Sequence, residues 1–269
     1  MGGIRVPSVS ENLQTWGQRY AWPKGGDEWS DVWGGTEPLW WGTLFPRLRP
    51  FLPAPVIVEI GPGFGRVTQY LQRFAERLLL VDLTQKCLDA CRERFASLPH
   101  LAYFRTEGST LPGIPDGCAD LVVSYDSLVH AEADVLQGYV RELARVLAPD
   151  GVAFLHHSNL GAFRDRQGRL TVENGHWRAE SMSADLFAGF CAESGLRCPS
   201  QELLNWDGLS LMDCISTAAR PGSRHDRPHR RVENRLFMHE AERARNLAAL
   251  YGLGDAGRDP LACRAAGSA

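Results

Sequence analysis

A β-branched run, Val56-Ile57-Val58-Glu59-Ile60, stops at Gly61-Pro62-Gly63-Phe64-Gly65, and Val67, Tyr70, Leu71 and Phe74 then follow at helical spacing. A strand with no polar alternation is buried on both faces, which happens in parallel sheets covered by helices on either side. The glycine cluster allows only a tight turn before the helix, so this segment reads as strand, turn, helix. The pattern repeats. Leu78 to Val81 forms a second apolar run ending in Asp82, followed by Leu88, Cys91 and Phe95 on one helical face. Leu101 to Phe104 and Leu121 to Tyr125 read as strands three and four, separated by a Gly/Pro-rich connection from Pro112 to Gly117. Val135, Tyr139, Leu143, Val146 and Leu147 mark a helix that stops at Pro149-Asp150-Gly151, and Val152 to Leu155 is strand five. A helix over 184–194 and strands near Leu203 and from Cys214 to Thr217 complete seven strands. Strands alternating with helices predict an α/β fold, a doubly wound and mostly parallel sheet. Such sheets bind ligands at the carboxyl ends of their strands.

Composition narrows the function classes. The chain has 269 residues, 44% hydrophobic, with 29 basic and 32 acidic side chains giving a formal charge of -3. That length buries a full core without disulfide or metal staples. Near-neutral charge argues against a dedicated nucleic-acid binder. The apolar runs are strand-sized, far below the ~20 residues a membrane-crossing helix needs. Met1 to Pro7 has no apolar core, and Val6 stands where a myristoylation signal takes Ser or Thr, so a cytoplasmic protein without membrane attachment is expected. The seven cysteines are scattered with no Cys-x-x-Cys pair, so neither a disulfide framework nor a zinc site is expected. Cys87 and Cys91, at i and i+4, read as small buried hydrophobes, with a redox pair as the alternative.

The strand ends carry the chemistry. Glu59-x-Gly61-x-Gly63-x-Gly65 follows strand one, and Asp82 closes strand two 17 residues beyond the last glycine. Glycines let the backbone approach a ligand, and an acid at the second strand end accepts hydrogen bonds from ribose hydroxyls. Dinucleotide sites space their glycines so that a helix N-terminus meets a pyrophosphate. Here the third glycine comes one residue earlier, and Glu59 ahead of the turn would repel a pyrophosphate. A carboxylate there suits a ligand carrying an ammonium and a sulfonium, S-adenosyl-L-methionine.

From Val58 to Asn159 the chain resembles the core of the class I S-adenosylmethionine-dependent methyltransferases, which implies a Rossmann-like fold. The resemblance implies that Glu59 organises the turn and the methionine amino group. Gly61, Gly63 and Gly65 would line methionine and ribose, and Asp82 with Leu83 beside it would hold the ribose. Gly108-Ser109 falls beside the adenine, although Glu107 replaces the usual aspartate ahead of it, leaving that contact to backbone or to Ser109. Tyr125 and Asp126 would touch the methionyl end. Asp126-Ser127-Leu128-Val129-His130, His156-His157-Ser158-Asn159 and Trp33-Gly34-Gly35 resemble a narrower bacterial branch acting on natural products and surface sugars. Relatives fold an N-terminal segment over the cofactor as a lid. Six of the eight tryptophans lie in the first 41 residues, with Tyr20 among them; Trp33 and Tyr20 are expected to reach the cofactor and the rest to pack.

Methyl transfer to a hydroxyl needs a group to take the proton, and histidine suits that task. His130, His156 and His157 fall at the predicted ends of strands four and five. Adjacent strand side chains face opposite ways, so His156 and His157 cannot both address one atom. His157 is expected to be base or substrate anchor, with His130 close by. His130, His157 and Asp126 offer too few carboxylates for magnesium, so no metal is expected. The predicted organisation is an aromatic helical cap over 1–50, the methyltransferase core over 51–220, and a basic loop, a weakly amphipathic helix from Val232 to Leu250 and a mobile tail over 221–269. The arginines from Arg220 to Arg231 are expected to form a solvated loop, with a grip on an anionic substrate or RNA as the alternative. The predicted activity is methyl transfer to a polar small molecule, the favoured acceptor being a hydroxyl of a sugar or natural product. N- or carboxyl-methylation is the alternative; an RNA methyltransferase and a non-catalytic cofactor-binding module rank below it. The expected partner is a small-molecule substrate, with no nucleic acid and no membrane, and a homodimer as one option.

Overall fold

The strand from Ala54 to Ile60 (β1) lies in the middle of one sheet, and its apolar run is buried because strands flank it on both sides. The computed structural model describes residues 8–206 and 208–252. In chain order the other strands are β2 (Ala75–Asp82), β3 (Leu101–Arg105), β4 (Ala119–Ser124), β5 (Leu147–Ser158), β6 (Ser200–Leu204), β7 (Asp213–Ala219) and β8 (Arg230–Asn234). They are ordered β3-β2-β1-β4-β5-β7-β6-β8. Strands β1 to β5 run parallel, β7 is antiparallel to both β5 and β6, and β8 pairs parallel with β6. Chain order reverses beside β1, whose neighbours are β2 and β4. Open sheets bind ligands at such a reversal.

The α/β reading holds, with one strand more than expected. The extra strand comes from the basic segment: Arg230 to Asn234 pairs along β6, so Val232, expected to open the last helix, lies in an edge strand. That strand is charged and exposed, as an unpaired sheet edge requires if it is not to recruit other chains. The helices are α1 (Val9–Gln14), α2 (Thr36–Leu39), α3 (Phe45–Leu48), α4 (Thr68–Leu71), α5 (Gln85–Arg94), α6 (Ala133–Val146), α7 (Ala184–Glu193) and α8 (Phe237–Tyr251). The helix after the glycine turn is a single turn, extended by a 3-10 turn to Phe74.

Helix α6 buries Leu136, Tyr139, Val140, Leu143 and Val146 on one stripe. Each such side chain contributes about 1.5–3 kcal/mol by leaving water. With Phe187 and Phe190 of α7 they cover one face of the sheet. The other face is covered by Trp33, Trp40, Leu44 and Leu48 with Phe237 and Ala241 of α8. Arg47 of α3 ties these pieces together, donating to both carboxylate oxygens of Glu202 on β6 and to Glu240 of α8. Cys87 and Cys91 are buried on α5, where burial pushes both thiols up. Among the described residues no helix is long and apolar enough to cross a membrane. The Gly/Ala-rich tail beyond Gly254, expected to be mobile, lies outside the described residues.

Candidate active site

A cleft of about 500 Å³ opens at the carboxyl ends of β1, β2 and β4. Its first wall is the glycine turn. The Gly61 N–H donates to Val81 O at 2.8 Å, which draws the turn against the end of β2. Gly61 has φ +69, and a Cβ there would sit 1.9 Å from the Ser127 hydroxyl. A Cβ on Gly63, at φ +57, would sit 2.9 Å from the Trp22 ring. Both positions therefore need glycine for conformation and for space. Gly65 does not line the cleft: it is the point where Phe95, which caps α5, packs, 2.4 Å from where its Cβ would be. Its expected contact with the ligand is thus replaced by helix packing.

Asp82 and Glu59 are buried carboxylates on this wall, 6% and 4% exposed. Asp82 accepts from the Thr84 N–H at 2.7 Å, the Thr84 hydroxyl at 3.1 Å and the Gly63 N–H at 3.3 Å. Burial nevertheless lifts it to about 6. Glu59 accepts from the Thr68 hydroxyl at 2.7 Å, and burial lifts it to about 7. Two carboxylates held this far above the ordinary range are served by a ligand that brings hydrogen-bond donors and positive charge. A ribose diol beside Asp82 and an ammonium near Glu59 meet that demand, so the residues present fit S-adenosyl-L-methionine. Leu83 and Gly108 also line the cleft, whereas Ser109 does not: its Cβ lies 2.7 Å from where a Cβ on Gly138 of α6 would be.

The floor is made by Tyr125 and Asp126. Asp126 has φ +56, and its carboxylate pairs with Arg66 at 3.1 Å and Arg178 at 3.6 Å. Arg178 also grips Asp213 at 2.9 Å. Burial raises Asp213, but Arg178 and His156 outweigh it and hold the carboxyl well below the usual range. Two guanidinium groups against two carboxylates leave this network neutral. Neither Arg66 nor Arg178 stood out in the sequence, although Arg66 directly follows the glycine motif.

The three histidines separate. His156 and His157 lie inside the ladder between β5 and β7, opposite Ile215 and Cys214, and both are 0% exposed. His157 stacks on Phe187 at 4.8 Å and is bonded at both nitrogens, to Ser158 O at 2.9 Å and to the Ser216 hydroxyl at 2.8 Å. It faces away from the cleft, so the expectation that it is the base is overturned. The cause is the antiparallel strand β7, which extends β5 past the point where a parallel strand would have ended. His157→Ala is then expected to cost about 2–4 kcal/mol of stability through a cavity and two stranded polar groups. Denaturant unfolding would show that loss with cofactor affinity unchanged; weakened cofactor binding would contradict this placement. His156 lies one layer under the floor, accepting the Asp126 N–H at 3.2 Å and donating to Asp213 at 3.2 Å. It holds the floor and does not line the cleft.

His130 is the histidine that lines the cleft. It closes the 3-10 turn Leu128–His130 after β4. Its Nδ1 lies 2.8 Å from Trp177 O, and a carbonyl only accepts, so Nδ1 carries the hydrogen and Nε2 the lone pair. Burial first, then Arg178, pushes the imidazole down to about 4.

The N-terminal segment covers the cleft, but through other aromatic groups than expected. Trp22 stacks on Phe64 of the glycine turn at 4.5 Å, Trp16 packs on His130 at 5.3 Å, and Trp29 packs on Trp16 at 5.9 Å. The Asn12 amide donates to His130 O at 2.8 Å. Trp33 instead is 1% exposed in the core, donating to the Thr43 hydroxyl and packing on Trp206. Tyr20 points its hydroxyl at Glu28 outside the cleft. The left-handed backbone at Trp22 (φ +53) swings the segment so that residues 16, 22 and 29 converge, which no periodicity announces.

Comparison with known proteins accords with this geometry. Residues 58–155 match the family model described as a methyltransferase domain. Among solved structures, a SAM-dependent methyltransferase from Leishmania major superposes with a TM-score of 0.57 at 17% identity, covering 81% of this chain and 87% of that one. A protein from Pyrococcus horikoshii superposes with a TM-score of 0.54 at 16% identity, over 77% and 95%. These likenesses are of fold. A ribosomal RNA small subunit methyltransferase A from Acidobacterium capsulatum is 47% identical over 45 residues, and one from Dehalococcoides mccartyi 31% over 55 residues. The chain spans only 16% and 19% of the lengths of these two relatives. Residues 58–155 thus carry a methyltransferase domain on a fold shared with S-adenosylmethionine-dependent methyltransferases, and S-adenosyl-L-methionine is the expected cofactor.

Proposed function

We propose that this methyltransferase acts on a hydroxyl of a polar small molecule and that Nε2 of His130 takes the proton. The observation that carries this reading is the placement of His130: a neutral imidazole on the cleft wall, Nδ1 committed to Trp177 O and Nε2 without a hydrogen-bond partner among the described residues. S-adenosyl-L-methionine supplies a methyl group on a sulfonium, which leaves with the C–S electron pair. His130 receives the hydroxyl proton while the new O–C bond forms. An imidazole with so low a pKa does not ionise a hydroxyl beforehand, but accepts its proton once attack has made it acidic. Trp16, Trp22 and Phe64 exclude water from that exchange, and Asp82, Glu59 and the glycine turn hold the cofactor.

The acceptor-side surface mixes Trp16, Trp29 and Trp177 with Arg178, His176 and Asp134, which suits an amphipathic ring bearing hydroxyls. The short likeness to ribosomal RNA methyltransferases raises RNA as an acceptor, and a formal charge of -3 does not favour it. Labelled methyl transfer to panels of hydroxyl, amine and carboxyl acceptors, with ribosomal RNA alongside, tests the proposal. Product on hydroxyl compounds supports it. Product confined to amines, carboxylates or RNA removes it.

A further inference from the structure

The three non-glycine residues with left-handed backbone among the described residues, Trp22, Asp126 and Trp177, all line the cleft. Such conformations cost free energy and persist where their surroundings enforce them. Trp177, at φ +53, is the least expected, because its indole is 49% exposed and packing does not hold it there. What holds it is Asn174. The Asn174 side chain is largely buried, accepts the Arg178 N–H at 2.8 Å and donates to Arg178 O at 2.8 Å. One amide thus closes the turn 174–178 with two bonds. Beyond the turn, Arg178 is gripped by Asp213, and the Ala179 N–H donates to Val129 O at 2.8 Å. The product of this clamp is a single carbonyl, Trp177 O, aimed at Nδ1 of His130.

We propose that Asn174 is a positioning residue for methyl transfer: by clamping this turn it fixes Trp177 O against His130 and holds that histidine in the tautomer whose Nε2 accepts a proton. The inference rests on the reading of His130 given above. Which imidazole nitrogen is protonated is set by the bond the other one makes. With Trp177 O withdrawn, the hydrogen is free to move to Nε2, and the lone pair leaves the cleft. A histidine base in the wrong tautomer loses up to about 10⁴ in turnover. Arg178, Asp126 and Asp213 are the charged groups that act on His130, and their mutual ion pairs are made by side chains other than Asn174, so they are expected to persist when Asn174 is changed.

The test needs no acceptor. Nitrogen-15 correlation spectra of the full chain report the His130 tautomer, free and with S-adenosylhomocysteine. The wild type is expected to show a protonated Nδ1, and no titration of His130 near neutral pH. Asn174→Ala is expected to show mixed tautomers with S-adenosylhomocysteine affinity unchanged. Asn174→Asp keeps the acceptor for the Arg178 N–H but loses the donor to Arg178 O, and is expected to fall between. It also serves if the alanine variant does not fold. Trp177→Gly keeps the carbonyl and accepts the positive φ, so the wild-type tautomer is expected to survive. A wild-type tautomer in both Asn174 variants, or its loss in Trp177→Gly, overturns the inference. Failure of the proton-acceptor reading is distinct: turnover would then be insensitive to His130→Gln whatever the tautomer.

Discussion

His130→Gln is expected to lower kcat by about 10²–10⁴ while leaving cofactor affinity intact, because glutamine can still donate to Trp177 O but its other end is no base. Single-turnover methyl transfer with an acceptor from the hydroxyl panel separates the two quantities. An unchanged kcat would remove His130 from the chemistry. The pH dependence carries a second signature. A histidine at its ordinary value of about 6.5 would lose function as the pH falls through that value. His130, pushed down to about 4 by burial and by Arg178, stays unprotonated well below neutrality. The acid limb of the rate is therefore expected near about pH 4–5, with a flat profile around neutrality. The folded-state pKa lies below the unfolded one, so the stability that His130 contributes is present above about pH 6.5 and is lost as the pH falls through the folded value.

Asp82→Ala is expected to weaken S-adenosylmethionine binding by about 10²–10³, since a hydrogen bond to a charged group contributes about 1.5–3 kcal/mol and a ribose brings two hydroxyls. Calorimetric titration of wild type and variant measures this, and equal affinities would show that the ribose lies elsewhere. Asp82 and Glu59 also set a pH dependence, because burial lifts them to about 6 and about 7. In the cofactor-free protein their folded-state pKa exceeds the unfolded one, so the native state holds extra protons between about pH 4 and 7 and loses that contribution as pH rises. A cationic, donor-rich ligand binds the ionised form, so binding releases protons and tightens as pH rises through this window. The thermal shift produced by S-adenosylmethionine is accordingly expected to be larger at about pH 8 than at about pH 5.5. Equal shifts at both values would mean that the carboxylates are already ionised in the free protein.

The parts of this site that were legible in sequence are those made by local physics. Buried β-branched runs, a glycine turn and an acid at the next strand end each follow from neighbours within a few residues, and they place Glu59, Gly61, Gly63 and Asp82 where the structure has them. Tyr139, Leu143 and Val146 of the α6 stripe were legible for the same reason: helical period is a local property. Val232 was misread because an edge strand and a mediocre amphipathic helix share a composition, and only pairing with β6 distinguishes them.

The choice among histidines was not legible. His156 and His157 became interior because β7 pairs antiparallel with β5, bringing Asp213 and Ser216 to them from 57 and 59 residues away. Nor was the lid: Trp16, Trp22 and Trp29 converge through a left-handed residue and a stack on Phe64, while Trp33 is taken by the core. The Asn174 clamp and the Arg178 ion pairs likewise join distant segments of the chain. By itself the sequence determined the parallel part of the sheet, the expected cofactor and the glycine-turn wall of the cleft, since those depend on residue order along one or two adjacent elements. Only the tertiary structure decided which histidine lines the cleft, because that depends on strand pairing and loop closure between residues far apart in the chain, which local pattern does not encode.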